Sequence, residues 1–370
     1  MKILVLANFG MGLYNFRKEL LEKLIQQNNE VYISLPNDEY VSKLEDIGCR
    51  FIDTQLNRRG TNPISDFKLF LFYRKIIKKI KPDVVLTYTI KPNVYGGMAC
   101  TITKTPYITN ITGLGTSVEN KGLMQKITLQ LYRIGLKKSS CIMFQNDTNQ
   151  IFFRKKSIIK GETRLIPGSG VNLNLHKFEE YPEKEQKIRL LFIGRIMKAK
   201  GIEELFKAAV IVKSKHPNVQ FDLIGSMEED YSQEIQELER ENIVKYYGQQ
   251  SDVHSFIKNS HATILPSHHE GLANVLLESA SSGRPILASN IPGCVETFED
   301  GITGFGFEVS NVASLVDAID KFLILSYPQK KEMGYKGRLK VEKEFDRELV
   351  INTYLNEISR VTRANEESYQ

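Results

Sequence analysis

Short β-branched runs alternate with helical segments along this chain, and the alternation halts once and begins again. Ile3 to Ala7, Glu30 to Leu35, Val84 to Tyr88 and Tyr107 to Ile111 read as strands, with helices predicted over about Tyr14 to Gln27 and Tyr40 to Ile47. Two more strands follow, at Cys141 to Phe144 and Arg164 to Ile166. The stretch Lys177 to Lys187 is then charged, carries a proline and lacks periodicity, so it reads as a linker. Beyond it the pattern resumes with strands at Leu190 to Ile193, Gln220 to Ile224, Val244 to Tyr247, Ala262 to Leu265 and Pro285 to Ser289. Helices are predicted at Ile202 to Lys215, across Tyr231 to Glu241 and near Leu272. Such alternation predicts βαβ units and parallel sheets. With 370 residues, 41% of them hydrophobic, the chain exceeds what one core holds. Two α/β domains are expected, 1–180 and 181–345, followed by a helix in 346–370 that packs back toward the first.

Charge divides the chain in the same place. Residues 1–180 hold 27 Lys and Arg against 15 Asp and Glu, whereas the remainder holds 23 against 29. Much of the basic excess lies in Lys68 to Lys81 and Lys121 to Lys138, which mix bulky apolar side chains with cations as helices on an anionic membrane surface do. The same pattern also suits helices that pack on a sheet and keep their lysines in solvent. No apolar run is long enough to span a bilayer, and the chain opens on a strand without a signal-peptide pattern, so a cytoplasmic protein is expected. Cys49, Cys100, Cys141 and Cys294 are scattered, which argues against a disulfide frame or structural zinc and predicts buried thiols. Zinc-finger spacing and RNA-binding signatures are absent, so nucleic acid is not an expected partner.

Two carboxylates eight positions apart, Glu270 and Glu278, bracket the start of the helix predicted near Leu272, whose apolar face comprises Leu272, Val275, Leu276 and Ala280. The amides of Gly271, Leu272, Ala273 and Asn274 fall in its first turn, where helix N–H groups lack internal partners and suit a phosphate. A carboxylate close to an apolar face needs hydrogen-bond donors, and sugar or ribose hydroxyls supply them. Two solvated glutamates flanking a surface helix remain the plainer alternative. The turn Gly194 to Gly201 leaves a strand and presents Arg195 and Lys200 before the next helix, at the strand end where ligands of open parallel sheets bind. Together these two cations can neutralise a diphosphate.

Three glycine-rich loops follow strands in the first half: Asn8-Phe-Gly10-Met-Gly12-Leu-Tyr-Asn15, Asn110-Ile-Thr-Gly-Leu-Gly-Thr-Ser117 and Pro167-Gly-Ser-Gly-Val171. They are expected to converge on a cleft, with Gly10 and Gly12 admitting a ligand close to the backbone. The first loop is also a partial dinucleotide fingerprint, and a dehydrogenase would use Asp38 for a ribose, although Asn15 stands where a Gly or Ala belongs. No histidine cluster suggests a metal: His268 and His269 are adjacent, and neighbouring side chains on a strand point to opposite faces. A Walker loop and a nucleophile elbow are absent too.

Taken together, these residues resemble the bacterial retaining glycosyltransferases of family 4, which have the GT-B fold of two facing Rossmann-like domains with parallel sheets and a cleft between them. The resemblance covers nearly the whole chain. Glu270 to Glu278 matches that family's Glu-x7-Glu motif, and Arg195 with Lys200 matches its donor-diphosphate pair. It implies that Glu270 binds the transferred sugar, Glu278 the nucleotide ribose, and the amides of Gly271 to Asn274 the phosphate and sugar. Gly248 and Gln249 face the base, and Gly12 and Gly194 complete the donor side. No cofactor or metal is implied. Where many relatives carry a first-domain histidine, this chain has Tyr88-Thr-Ile-Lys91-Pro-Asn, and Thr112-Gly113 stands where His-Gly is often found. These segments are similar to those of transferases of capsule and other surface polysaccharides.

That likeness implies an acceptor saccharide on a membrane polyprenyl diphosphate, met by Asn15, Tyr88, Lys91, Thr112, Gly113 and Gly115, and an enzyme at the inner face of the membrane. The implied donor is a UDP-sugar, an N-acetylated hexosamine or its 6-deoxy form, and the implied outcome is retention without a metal. Glu270, Arg195 and Lys200 are the candidate catalytic residues. A nucleotide-sugar epimerase of the same fold is the alternative, with an NAD-dependent dehydrogenase behind it.

Overall fold

A computed structural model describes all residues except 56–61, 114–121, 160, 184–186 and 368–370, and of 365–367 it describes the backbone alone. The chain divides into two units, the first comprising Met1–Ser169 with Leu349–Gln370 and the second Gly170–Glu348.

In the first unit the described strands are β1 (Lys2–Leu6), β2 (Glu30–Leu35), β3 (Arg50–Asp53), β4 (Val84–Tyr88), β5 (Tyr107–Ile111), β6 (Cys141–Phe144) and β7 (Thr163–Leu165). They form one parallel sheet in the order β3-β2-β1-β4-β5-β6-β7. Its helices are α1 (Gly10–Gln26), α2 (Val41–Asp46), α3 (Pro63–Ile80), α4 (Gly97–Thr103), α5 (Leu123–Gly135) and α6 (Asp147–Lys155). β4, β5 and β6 are buried at every position, which explains why they are legible as unbroken apolar and β-branched runs. Alternate residues of β1 serve opposite faces of the sheet: Ile3 and Val5 pack with Leu13, Leu20 and Ile351, whereas Leu4 and Leu6 pack with Leu69, Tyr73 and Ala99.

The second unit has β8 (Ile188–Ile193), β9 (Val219–Ile224), β10 (Val244–Tyr246), β11 (Ala262–Leu265), β12 (Ile286–Ser289) and β13 (Gly304–Phe307), parallel in the order β10-β9-β8-β11-β12-β13. Its helices are α7 (Ile202–Lys215), α8 (Ser232–Arg240), α9 (Val253–Lys258), α10 (Asn274–Ser281), α11 (Val312–Ile324) and α12 (Tyr327–Glu344). The last helix, α13 (Arg347–Glu367), places Val350, Ile351, Tyr354, Ile358 and Val361 in the core of the first unit.

The expected linker is not one. The chain passes between units at Ser169, and Glu179 to Tyr181 lie against the second unit, held by a fully buried guanidinium. Arg284 Nη1 donates to the carbonyl of Glu179 at 3.1 Å, and Nη2 donates to Glu180 at 2.8 Å and Lys258 at 2.7 Å. Nε donates to Ile257 at 3.1 Å. A polar, aperiodic segment can therefore be fixed when its backbone carbonyls find a buried donor a hundred residues away. All four cysteines are buried and free, as the sequence suggested. Among the described residues no helix is long and apolar enough to cross a membrane.

Candidate functional site

The order of the second sheet reverses at one point. From β8 the chain steps outward to β9 and β10, and from β11 it steps the other way to β12 and β13, so the loops after β8 and β11 leave adjacent strands in divergent directions. That switch point is where an open parallel sheet forms a crevice at its carboxyl edge. Both predicted motifs lie there. The two loops are stitched together: the His268 amide donates to the Ala199 carbonyl at 3.0 Å, and Gly201, at φ +70°, passes so near Pro266 that a Cβ would stand 2.0 Å from its carbonyl oxygen. His268 and His269 belong to this loop and not to a strand, and His268 Nε2 lies 3.1 Å from Glu204 Oε1.

Lys200 and Glu270 meet in the crevice. The ammonium is 2.5 Å from Glu270 Oε1, and Ser267 Oγ donates to the same oxygen at 2.8 Å. Their side chains are only 20% and 13% exposed. Lys200, expected to hold a diphosphate, and Glu270, expected to hold a sugar, thus bond to each other. Arg195 differs. Its backbone is fixed, with the flanking Gly194 amide donating to Ile224 at 2.9 Å and the Ile196 amide to Ser226 at 2.8 Å. Its side chain is nearly half exposed, with Nη1 4.0 Å from Glu228 Oε2. A surface contact of that length contributes little stability, so the guanidinium is held near the crevice without being spent on the fold.

α10 starts later than the sequence predicted, at Asn274 and not near Leu272. Among the expected phosphate-binding amides, Ala273 donates to the Gly293 carbonyl at 2.7 Å and Asn274 to the Leu272 carbonyl at 3.0 Å. The loop after β12 thus supports the Glu270 loop, and Gly293 is required there. Its φ is +89°, and a Cβ would lie 2.6 Å from the Glu270 carbonyl oxygen. Sequence reasoning missed Gly293 and Ser267, although Pro292-Gly293 is a turn signal.

Glu278 sits in the second turn of α10, its side chain 23% exposed. Burial pushes its carboxyl above the usual carboxylate range, and the charge of Arg347 opposes that rise. His176 Nε2 lies 4.0 Å from Glu278 Oε1. Neither His176 nor Arg347 was foreseen, because each comes from a segment distant in sequence. Gly248, at φ +67°, needs its glycine for the backbone alone, and the exposed Gln249 follows it at the same edge of the sheet.

The predicted residues of the first unit lie around its own switch point, between β1 and β4. There the glycines have internal explanations. A Cβ on Gly10 would meet Asp38 Oδ1 at 2.3 Å, and one on Gly12 would meet the Phe9 ring at 2.6 Å. Both belong to α1, which begins at Gly10 and not near Tyr14. Asp38 accepts from the Gly10 amide at 2.6 Å and from Tyr40 at 3.0 Å, so its carboxylate caps a helix. Asn15 is exposed on α1, and Tyr88 is buried beneath the Arg17 guanidinium, 5.4 Å from the ring centre. Lys91 pairs with Asp66 at 2.7 Å. Thr112 and Gly113 follow β5, half-buried; Gly115 lies outside the described residues. In the third glycine loop, Gly170 belongs to the second unit, where a Cβ would be 2.5 Å from the Arg347 Cα. Among the described residues no group of His, Cys, Asp or Glu is arranged to hold a metal ion.

Comparison with known proteins bears on the family and the fold. Residues 2–146 match the family described as "Glycosyl transferase 4-like", and residues 175–340 match "Glycosyl transferases group 1". The chain is 27% identical to the N,N'-diacetylbacillosaminyl-diphospho-undecaprenol alpha-1,3-N-acetylgalactosaminyltransferase of Campylobacter jejuni, over 98% of this chain and 100% of that one. It is 28% identical to the capsular polysaccharide biosynthesis glycosyltransferase CapM of Staphylococcus aureus, over 91% and 93%. Among solved structures, a glycosyltransferase from Rickettsia africae superposes with a TM-score of 0.81 at 21% identity, covering 97% of this chain and 98% of its own. Anabaena HepE in complex with UDP-glucose gives 0.78 at 18% identity, covering 98% and 100%.

Proposed function

Because the chain belongs to the group 1 and 4-like glycosyl transferases, with the GT-B fold, we propose that it moves a sugar from a UDP-sugar to a saccharide carried on a polyprenyl diphosphate, in the synthesis of a capsule or other surface polysaccharide. The observation that carries this reading is the Lys200–Glu270 pair at the switch point of the second sheet, with Arg195, nearly half exposed, in the same loop as Lys200.

A diphosphate entering the crevice competes with Glu270 for Lys200 and takes Arg195 without breaking any strong bond. Glu270, as it loses part of its cation, turns to the donor sugar's hydroxyls, and Glu278 accepts from the ribose. As the bond from the anomeric carbon to the diphosphate lengthens, charge grows on the leaving oxygens. Arg195 and Lys200 stabilise that charge more than they stabilise the ground state. The acceptor oxygen bonds to the anomeric carbon on the face the diphosphate leaves, and its proton passes to a leaving phosphate oxygen. Configuration is retained, no metal is needed, and UDP departs. The donor sugar is an N-acetylated hexosamine or its 6-deoxy form, in line with the galactosaminyltransferase relative. The enzyme works from the inner face of the membrane, where its basic first unit meets anionic lipid.

A thermal-shift panel of UDP, GDP, ADP and their sugars tests the donor half directly. UDP and a UDP-sugar should raise the melting temperature in wild type and much less in Arg195→Ala; a response confined to another base, or an equal response in the variant, would sink the assignment.

A further inference from the structure

Helix α3 is apolar on two sides. Leu69, Tyr73, Ile76 and Ile77 are buried, as one packed stripe requires. Ile64, Phe67 and Leu71, at i, i+3 and i+7, are nevertheless 69%, 60% and 42% exposed. α5 repeats the arrangement, with Thr128 and Tyr132 buried and Leu123, Met124, Ile127 and Ile134 exposed. Ile102, near the end of α4, adds a further exposed aliphatic at 56%. Of these exposed side chains Phe67, Ile102 and Ile134, together with Phe70, Tyr95 and Met98, line a groove of about 500 Å³. That volume is within the range of small-molecule sites.

The groove has a polar end. Asp66, part of its lining, holds Lys91 Nζ at 2.7 Å and accepts from Tyr95 at 2.9 Å. It thereby connects the groove to Lys91, just beyond the carboxyl end of β4 and among the residues expected on the acceptor side. Lys137 also lines it, and Lys68 and Lys138 are exposed on α3 and just past α5. An apolar channel beside exposed cations is complementary to a long hydrocarbon bearing an anionic head.

We propose that this groove binds the isoprenoid tail of the polyprenyl-diphosphate acceptor, with the diphosphate drawn to Lys68, Lys137 and Lys138. The proposal rests on the lipid-linked acceptor of the preceding section. It commits to the acceptor's own tail and not to bilayer acyl chains, because seating on a bilayer needs only a flat apolar face, whereas this surface is recessed between three helices.

The test uses the full chain and a benzophenone-tagged farnesyl diphosphate as photoprobe. Label is expected within 63–70, 95–102 and 131–137, reduced by excess farnesyl diphosphate and not by UDP. Phe67, Ile102 and Ile134 are exposed, so the triple variant F67S/I102S/I134S should keep its melting temperature. It should lose most of the label and raise KM for a polyprenyl-linked acceptor about tenfold with kcat kept, while KM for the same saccharide on an octyl diphosphate stays unchanged. Label in other segments, undiminished label in the variant, or equal KM changes for both tails would overturn the proposal. So would unchanged labelling together with lost flotation on phosphatidylglycerol vesicles, since the face would then seat in the bilayer. Labelling confined to the groove in a protein that transfers sugar to no polyprenyl acceptor would remove the proposed function and leave the groove standing.

Discussion

Lys200 and Glu270, seventy residues apart, form an ion pair at 2.5 Å where the loops after two adjacent parallel strands meet. Removing either partner leaves a largely buried charge in the crevice, so the two should act as a unit. We expect Lys200→Met and Glu270→Gln each to lower kcat about a hundredfold or more, and the double variant to lose far less than the product of the two. Steady-state kinetics of the four proteins measures the coupling; independent, multiplying losses would show that the pair does not act as one.

Arg284 is fully buried and spends its guanidinium on backbone carbonyls. Replacing it with methionine leaves the carbonyls of Ile257, Lys258, Glu179 and Glu180 without their buried donor. A loss of about 3 kcal/mol or more is expected in urea unfolding, with the activity of the remaining folded enzyme unchanged.

His261 makes stability depend on pH. Burial lowers its pKa to about 4, with the charges of Arg284, Lys330 and Arg189 adding to the effect, and its Nδ1 accepts from the Arg189 amide at 3.1 Å. The folded protein thus keeps it neutral while the unfolded chain takes up a proton near pH 6.5. Stability from this group is complete above about pH 6.5 and is lost as pH falls toward 4, by about 3 kcal/mol at most. Urea midpoints at pH 7.5 and 4.5 should converge in His261→Gln, relative to wild type, if this proton is responsible; an unchanged difference assigns the loss to carboxylates elsewhere.

Glu278 is raised by burial, so its ionised form is held at a cost that the neutral amide avoids. Glu278→Gln should therefore melt at or slightly above the wild-type temperature and bind UDP about tenfold more weakly. Calorimetric titration and a melting curve on the same sample separate the two effects.

Gly293→Ala places a methyl group against the Glu270 carbonyl at a φ of +89°. The Glu270 loop should shift, and kcat should fall at least about tenfold although residue 293 carries no polar side chain. Wild-type turnover in this variant would show that the loop tolerates the displacement.

Much of this was legible beforehand because the information is local. Strands β2, β4, β5, β6 and β11 coincide with their sequence boundaries, and all but β2 are buried at every position, where both faces call for apolar and β-branched residues. Glycine hid other elements. β13, Gly-Phe-Gly-Phe, carries no strand signal, and α1 begins at Gly10 because Asp38, from the next loop, caps it. Lys177 to Lys187 reads as a linker because the donor that fixes Glu179 and Glu180, Arg284, lies a hundred positions away.

By itself the sequence determined the parallel α/β architecture, the Glu270–Glu278 spacing and the two cations after β8, all of which rest on periodicities and turns within a few residues. Only the tertiary structure decided that Lys200 bonds to Glu270, that Ala273 and Asn274 have already used their amides, and that Asp38 is a cap. Those outcomes depend on which strand lies beside which. The pairing of Leu190 with Ala262 and Leu191 with Thr263 brings the two loops together, and no local window of residues records that register.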